Sequence, residues 1–169
     1  MTERPSLKPE DLFSFLDGLE ISTTTVEHRP VFTVEEAREL RGSLSGSPSK
    51  SLFLRNKKKQ MWLVTTQADR AIDLKRLGAS LGSGRLGFAS PESLMAHLGV
   101  IPGAVTPFGV LNDTDGVVNV ALDRELLEDG PLNFHPLDNS RTTTISAADL
   151  LEFLEATGHK PLILEPEEF

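Results

Sequence analysis

The chain has 169 residues, 38% hydrophobic and 25% charged, with no cysteine and a formal charge of −8. That length suits one domain with a sizeable core. The composition excludes disulfide and thiolate chemistry, offers no apolar run of about 18 residues to span a membrane, and argues against a general nucleic-acid or DNA binder.

Met1-Thr-Glu-Arg-Pro lacks an apolar signal core, so the expected setting is cytoplasmic. Residues 9–19 predict a helix: Leu12, Phe13, Phe15, Leu16 and Leu19 recur at helical spacing after Pro9. Thr23 to Glu27 is β-branched and reads as a strand. Thr33 opens a helix to about Leu40 with Glu36 completing a capping box, and Gly42 to Pro48 is a loop or weak strand. Ser51–Arg55 and Gln60–Thr66 flank Asn56-Lys-Lys-Lys59 as a β-hairpin with a charged tip. Asp69 is read as the cap of a short helix to Leu77, and Ser90-Pro91-Glu92 opens another to about Leu98. Pro107–Leu111 and Val117–Leu122 are expected strands around the polar turn Asn112–Gly116. Leu126–Leu127 is a single helical turn, and Leu132–Phe134 and Thr142–Ile145 are short strands. Ser146 caps a helix to Ala156 that Gly158 ends. Pro161–Leu164 is a last strand, followed by an acidic tail expected to fray. The order predicts one α+β domain over residues 1–169, with a mixed, mostly antiparallel sheet.

Candidate chemistry is sparse. Gly82-Ser-Gly-Arg-Leu-Gly87 fits G-x-G-x-x-G, but a helix precedes it where a dinucleotide fold needs a strand, so it reads as a loop. His28, His97, His135 and His159 show no metal-binding spacing, and no cofactor is expected. His97 and His159 sit near helix C-termini, where a cation favours the dipole; His28 follows a strand and suits either a structural or a chemical role. The carboxylate pairs Glu35-Glu36 and Glu152-Glu155 have capping or surface explanations. No serine elbow is present, so any catalysis would use water.

Three features remain. Gly103-Ala-Val-Thr-Pro-Phe-Gly109 packs two glycines and a proline into seven residues, which suggests unusual backbone and exposed amides. Lys50 stands at the mouth of a core strand, as a point charge for a phosphate or oxyanion or as a plain surface lysine. His135, extended by the following proline, could donate to a carbonyl or phosphate, or simply tie down its loop. Charge is also uneven. From Lys50 to Arg76 eight basic residues face only Asp69 and Asp73, so that segment is +6 and the remainder −14. Such a face can steer a polyanion, and it equally fits a solvated hairpin tip.

Taken in order, Val31-Phe-Thr-Val-Glu-Glu-Ala37, Lys50-Ser-Leu-Phe-Leu54, Gly103–Gly109 and Asn133-Phe-His-Pro-Leu-Asp-Asn139 with Thr142-Thr-Thr resemble the editing domain inserted in bacterial prolyl-tRNA synthetases. The likeness runs from about Leu12 to Leu164 and extends to the free-standing alanyl-tRNA(Pro) deacylase branch, also called prolyl-tRNA synthetase-associated domain proteins. The resemblance implies a compact α/β fold and hydrolysis of the ester joining an amino acid to the terminal ribose of tRNA(Pro), most readily alanine. It places the family's lysine on Lys50, its Gly-x-x-x-Pro loop on Gly103–Pro107 and a selectivity histidine on His135. Amides of Gly103, Ala104, Val105 and Thr106 would then hold the substrate carbonyl, and Val26, Phe32, Pro107 and Phe108 would wall a small amino-acid pocket. Arg55, Lys57, Lys58, Lys59, Arg70, Lys75 and Arg76 become tRNA contacts. Aminoacyl-tRNA(Pro), and prolyl-tRNA synthetase with it, are the expected partners. The alternative is a non-catalytic module that binds tRNA or a synthetase through the same face.

Overall fold

The computed structural model describes residues 6–28 and 48–169. Phe32, the Thr33–Leu40 helix and nearly all of the Gly42–Pro48 stretch lie outside the described residues. Helix α1 (Pro9–Gly18) leads to strand β1 (Thr24–Glu27). Strands β2 (Ser49–Arg55) and β3 (Met61–Gln67) form the expected hairpin, paired from Ser49↔Gln67 to Arg55↔Met61. Asn56 closes its tip: Oδ1 accepts from the Gln60 amide at 2.9 Å, and Nδ2 donates to Gln60 Oε1 at 2.8 Å. Then come α2 (Leu74–Leu81), β4 (Gly87–Phe88) and α3 (Pro91–Leu98). A 3-10 helix spans Pro107–Asn112, before β5 (Val118–Asp123) and α4 (Arg124–Glu128). The chain finishes with β6 (Leu132–Phe134), β7 (Arg141–Ile145), α5 (Ala147–Ala156), β8 (Leu162–Leu164) and a 3-10 turn at Pro166–Glu168.

The strands make two sheets, a five-stranded one ordered β4-β2-β3-β5-β8 and a three-stranded one ordered β1-β7-β6. Among the described residues four pairings are antiparallel, while β3–β5 and β5–β8 are parallel. This is the α+β fold with a mixed, mostly antiparallel arrangement that the element order predicts. Strand β3 is buried from Met61 to Thr66 because both its faces are covered. Met61 and Leu63 join a large core with Leu12, Leu16, Phe108, Phe134 and Phe153. Trp62 and Val64, pointing the other way, pack with Leu54, Leu77, Leu86, Leu164 and Phe169.

Four expectations need correction. The cap of α2 is Asp73, which accepts from the Lys75 and Arg76 amides, whereas Asp69 stands in the turn after β3. Pro107–Leu111 is helical: Thr106 Oγ1 accepts from the Phe108 amide at 3.2 Å and Pro107 occupies the first turn, where a missing N–H costs nothing. The C-terminus is docked, with Phe169 only 4% exposed and the Arg70 guanidinium 5.2 Å above its ring. His159 is no dipole partner; it is buried, with Nε2 2.7 Å from Asp113 Oδ2 and Nδ1 2.9 Å from Thr157 Oγ1.

Candidate functional site

Side chains alternate across a strand, so register divides the three-stranded sheet into two faces. Leu132, Phe134, Thr143 and Ile145 are buried against the large core or its margin. Asn133, Thr142 and Thr144 take the opposite face, with Thr24 and Val26 across from Thr144 and Thr142. His28 and His135 extend it, each two residues beyond a member of that face, and their rings approach with centroids 6.2 Å apart. The result is a polar face of small hydroxyls, one amide and two imidazoles. Val26, an expected pocket wall, lies on it and is 41% exposed.

Hydrogen bonds order this face. His28 Nε2 lies 2.7 Å from Thr142 Oγ1, and Thr144 donates its hydroxyl to Asn133 Oδ1 at 2.6 Å. Thr142 is only 4% exposed, so its hydroxyl is withheld from solvent. His135 Nδ1 sits 3.0 Å from the Arg141 carbonyl oxygen. A carbonyl can only accept, so Nδ1 carries the proton. Burial pushes the His135 pKa below the usual histidine value and His28 adds to that, against the raising effects of the Arg141 carbonyl and Asp138. The expected donation to a carbonyl is made to the chain's own Arg141, tying down the loop, and the neutral ring presents Nε2 as an acceptor. Asp138 is held below the ordinary carboxylate range by the Ser140 amide and hydroxyl, both 2.7 Å from its Oδ1.

Strand β2 brings Lys50 to the edge of this region. Its neighbour Ser49 donates to the Asn133 carbonyl at 3.2 Å, joining the two sheets there. Lys50 Nζ donates to the Arg70 carbonyl at 2.5 Å, leaving two ammonium hydrogens for other acceptors. Arg70 is itself fixed: Nε donates to Asp123 Oδ2 at 2.7 Å, Nη2 to Asp123 Oδ1 at 3.2 Å, and Glu125 lies 3.4 Å away. Asp123 is fully buried and also accepts the Gln67 and Glu125 amides. The hydrogen bond to Asp123 holds the Arg70 pKa above its ordinary value despite burial. Arg70 is thus a bolt that presents its carbonyl to Lys50, and its expected role as a tRNA contact is corrected because its charge is already spent.

The Gly103–Gly109 loop differs from expectation in detail. Neither glycine is among those with positive φ. Gly109 is needed for contact, since a Cβ there would lie 2.9 Å from Leu98 Cβ and 3.1 Å from its carbonyl oxygen on α3. Ala104 and Pro107 are buried, and Phe108 is fully buried between Phe134 and Phe153, with ring centroids at 5.8 and 5.4 Å. Phe108 is a core residue and no pocket wall; its ring ties the loop to β6, between Asn133 and His135. The Ala104 amide is consumed by the Ile101 carbonyl at 3.0 Å. Among the described residues the amides of Gly103, Val105 and Thr106 make no such bond, but Thr106 is fully buried, which narrows the expected amide set to Gly103 and Val105. No hydrogen bond directly joins Lys50, Gly103 and His135.

Arg55, Lys57, Lys58 and Lys59 are exposed at the hairpin tip. They stand at the far end of β2, five residues or about 17 Å from Lys50. Lys75 and Arg76 are exposed on α2. Beside them an open groove of about 510 Å³ is lined by Leu74, Lys75, Ala79, Gly84, Arg85 and Leu86. Arg85 therefore extends the basic face and was missed in the sequence, lying nine residues beyond the basic run. Asn133, Thr142 and Thr144 were also missed as site residues; the period-2 pattern of Thr24-Val26-His28 and Asn133-His135 is the signal that marks their face.

The model of the aminoacyl-tRNA editing domain matches residues 28–153. The chain is 43% identical over 157 residues to prolyl-tRNA synthetase associated domain-containing protein 1 of Danio rerio, covering 92% of this chain and 85% of that protein. It is 41% identical over 145 residues to the prolyl-tRNA editing protein ProX of Acetoanaerobium sticklandii, covering 85% and 88%. A multifunctional Ser/Thr-tRNA deacylase of Escherichia coli, ProXp-y, is 30% identical over 113 residues, covering 64% and 68%. Among solved structures, that of a proposed trans-editing enzyme for prolyl tRNA synthetase superposes with a TM-score of 0.69 at 22% identity, covering 96% and 98%.

Proposed function

The chain belongs to the aminoacyl-tRNA editing domain family, and we propose that it hydrolyses the aminoacyl ester of mischarged tRNA(Pro), with alanyl-tRNA(Pro) as its main substrate. What supports this reading is Lys50, held by the Arg70 carbonyl and next to Ser49, which bonds the Asn133 carbonyl at the edge of the polar sheet face. An aminoacyl ester is already activated, so positioning and charge stabilisation suffice. Water attacks the carbonyl carbon, the amides of Gly103 and Val105 receive the developing oxyanion, and the terminal ribose leaves as its hydroxyl. Lys50, aimed by the Arg70–Asp123 pair, neutralises the adjoining phosphate or oxyanion. The small side chains Val26 and Thr144 favour a small acyl group over proline, the size selection a second sieve performs. Lys57, Lys58, Lys59, Lys75, Arg76 and Arg85 steer the acceptor stem in the cytoplasm, with prolyl-tRNA synthetase as the source of the mischarged substrate.

Ester loss from alanyl-, cysteinyl- and prolyl-tRNA(Pro) tests this. Fast clearance of the alanyl ester and slow clearance of the prolyl ester is expected; clearance of none overturns the deacylase reading. The second reading, a module that binds tRNA or synthetase without turnover, is favoured by relatives whose names record association with the synthetase only. Tight tRNA binding with no ester loss would select it.

A further inference from the structure

We propose that His135 receives the α-ammonium group of the bound aminoacyl ester through Nε2. The proposal rests on the functional reading above only in that the ligand is an aminoacyl ester. Its basis is an inventory of the polar face. On the strands themselves Asn133 Oδ1 already takes the Thr144 hydroxyl and Thr142 Oγ1 is paired with His28; Asp138, beyond the end of β6, spends Oδ1 on Ser140 and keeps Oδ2. The Arg141 carbonyl fixes the His135 tautomer so that its second nitrogen is an acceptor, and among the described residues that nitrogen has no partner. An acceptor on a binding face calls for a donor on the ligand. Phosphates and the ester carbonyl offer only acceptors and are excluded as its partner.

The α-ammonium is the cationic donor common to every aminoacyl ester, whatever its side chain. A neutral imidazole accepts from it, whereas an imidazolium would repel it. The groups facing His135 bear on that balance: His28 opposes a second positive charge, while Asp138 and the Arg141 carbonyl favour one. In this arrangement His135 fixes the orientation of the acyl group, leaving the side chain to be judged by the walls around Val26 and Thr144.

The test compares alanyl-tRNA(Pro) with lactyl-tRNA(Pro), in which a hydroxyl replaces the ammonium at nearly equal size. Wild type should prefer the alanyl ester in kcat/KM, mostly through KM, and His135→Leu should cut that preference about tenfold, the scale of a charge-assisted hydrogen bond. His135→Gln, which restores a neutral acceptor, should recover part of it. An unchanged ratio in His135→Leu overturns the proposal while leaving the deacylase reading intact. A readout independent of turnover is the 15N shift of the His135 ring on adding an uncleavable amide-linked alanyl-adenosine. A shift at Nε2 that the lactyl analogue does not reproduce supports the contact even if no ester is cleaved. The same shift with both analogues, or none with either, overturns it.

Discussion

The two faces of the three-stranded sheet are built from the same three strands and have opposite consequences. On one, Leu132, Phe134 and Ile145 are 5% exposed or less and share the core with Phe108 and Phe153, Phe134 through ring contact with Phe108. On the other, Thr144 bonds Asn133, Thr142 bonds His28, and His135 Nδ1 bonds the Arg141 carbonyl, leaving Nε2. The lesson is that adjacent residues face different demands: Phe134 packs in the core, and its neighbours Asn133 and His135 turn polar groups to the opposite face, where the proposed ligand would sit.

Substitutions on the core face should cost stability first. Phe134→Ala removes a ring packed on Phe108 and should lower unfolding free energy by about 3–5 kcal/mol, measured by urea denaturation. Asp123→Ala strands the partly buried Arg70 guanidinium and should cost about 3 kcal/mol; it should also slow ester hydrolysis, because the carbonyl that holds Lys50 loses its anchor. Thr143→Val deletes the hydroxyl contact with Thr25 at 2.7 Å and should cost about 1 kcal/mol, with little change in turnover.

The polar face should answer to pH instead. With a folded pKa lowered by burial, His135 binds protons less readily than in the unfolded chain. Its stabilising contribution is therefore complete above the ordinary histidine value, about 6.5, and declines as pH falls below it. His135→Gln should flatten that part of the stability–pH curve. The smallest effect on the fold belongs to Lys57, Lys58 and Lys59: changing all three to Ala should leave the melting temperature in place. It should weaken tRNA binding and make the affinity less salt-dependent, reducing the log–log slope by about 2.

Much of this was legible in the chain. The Lys-rich tip between two apolar runs marked the β2–β3 hairpin, and Ser90 and Ser146 cap the helices they were expected to cap. Local signals failed where distant partners decide. Asp69 reads as the cap in the sequence, but the cap is Asp73, and Arg70 between them is tied to Asp123, 53 positions away. Pro107–Leu111 is apolar enough for a strand, but the Thr106 cap starts a helical turn that the close packing of Gly109 on Leu98 holds in place. Lys50 and His135 were singled out, but the tautomer of His135 depends on the Arg141 carbonyl and the posture of Lys50 on the Arg70 carbonyl, and neither contact has a sequence pattern.

The most direct test of the division between a fold-bearing and a ligand-bearing surface is single-turnover hydrolysis of alanyl-tRNA(Pro) by wild type and Lys50→Ala, with unfolding followed on the same samples. Wild type should clear the ester, and the variant should be slowed at least tenfold, about 1.4 kcal/mol of transition-state stabilisation, with unchanged melting. Equal rates for the two proteins would contradict the assignment of Lys50 and with it the placement of the site.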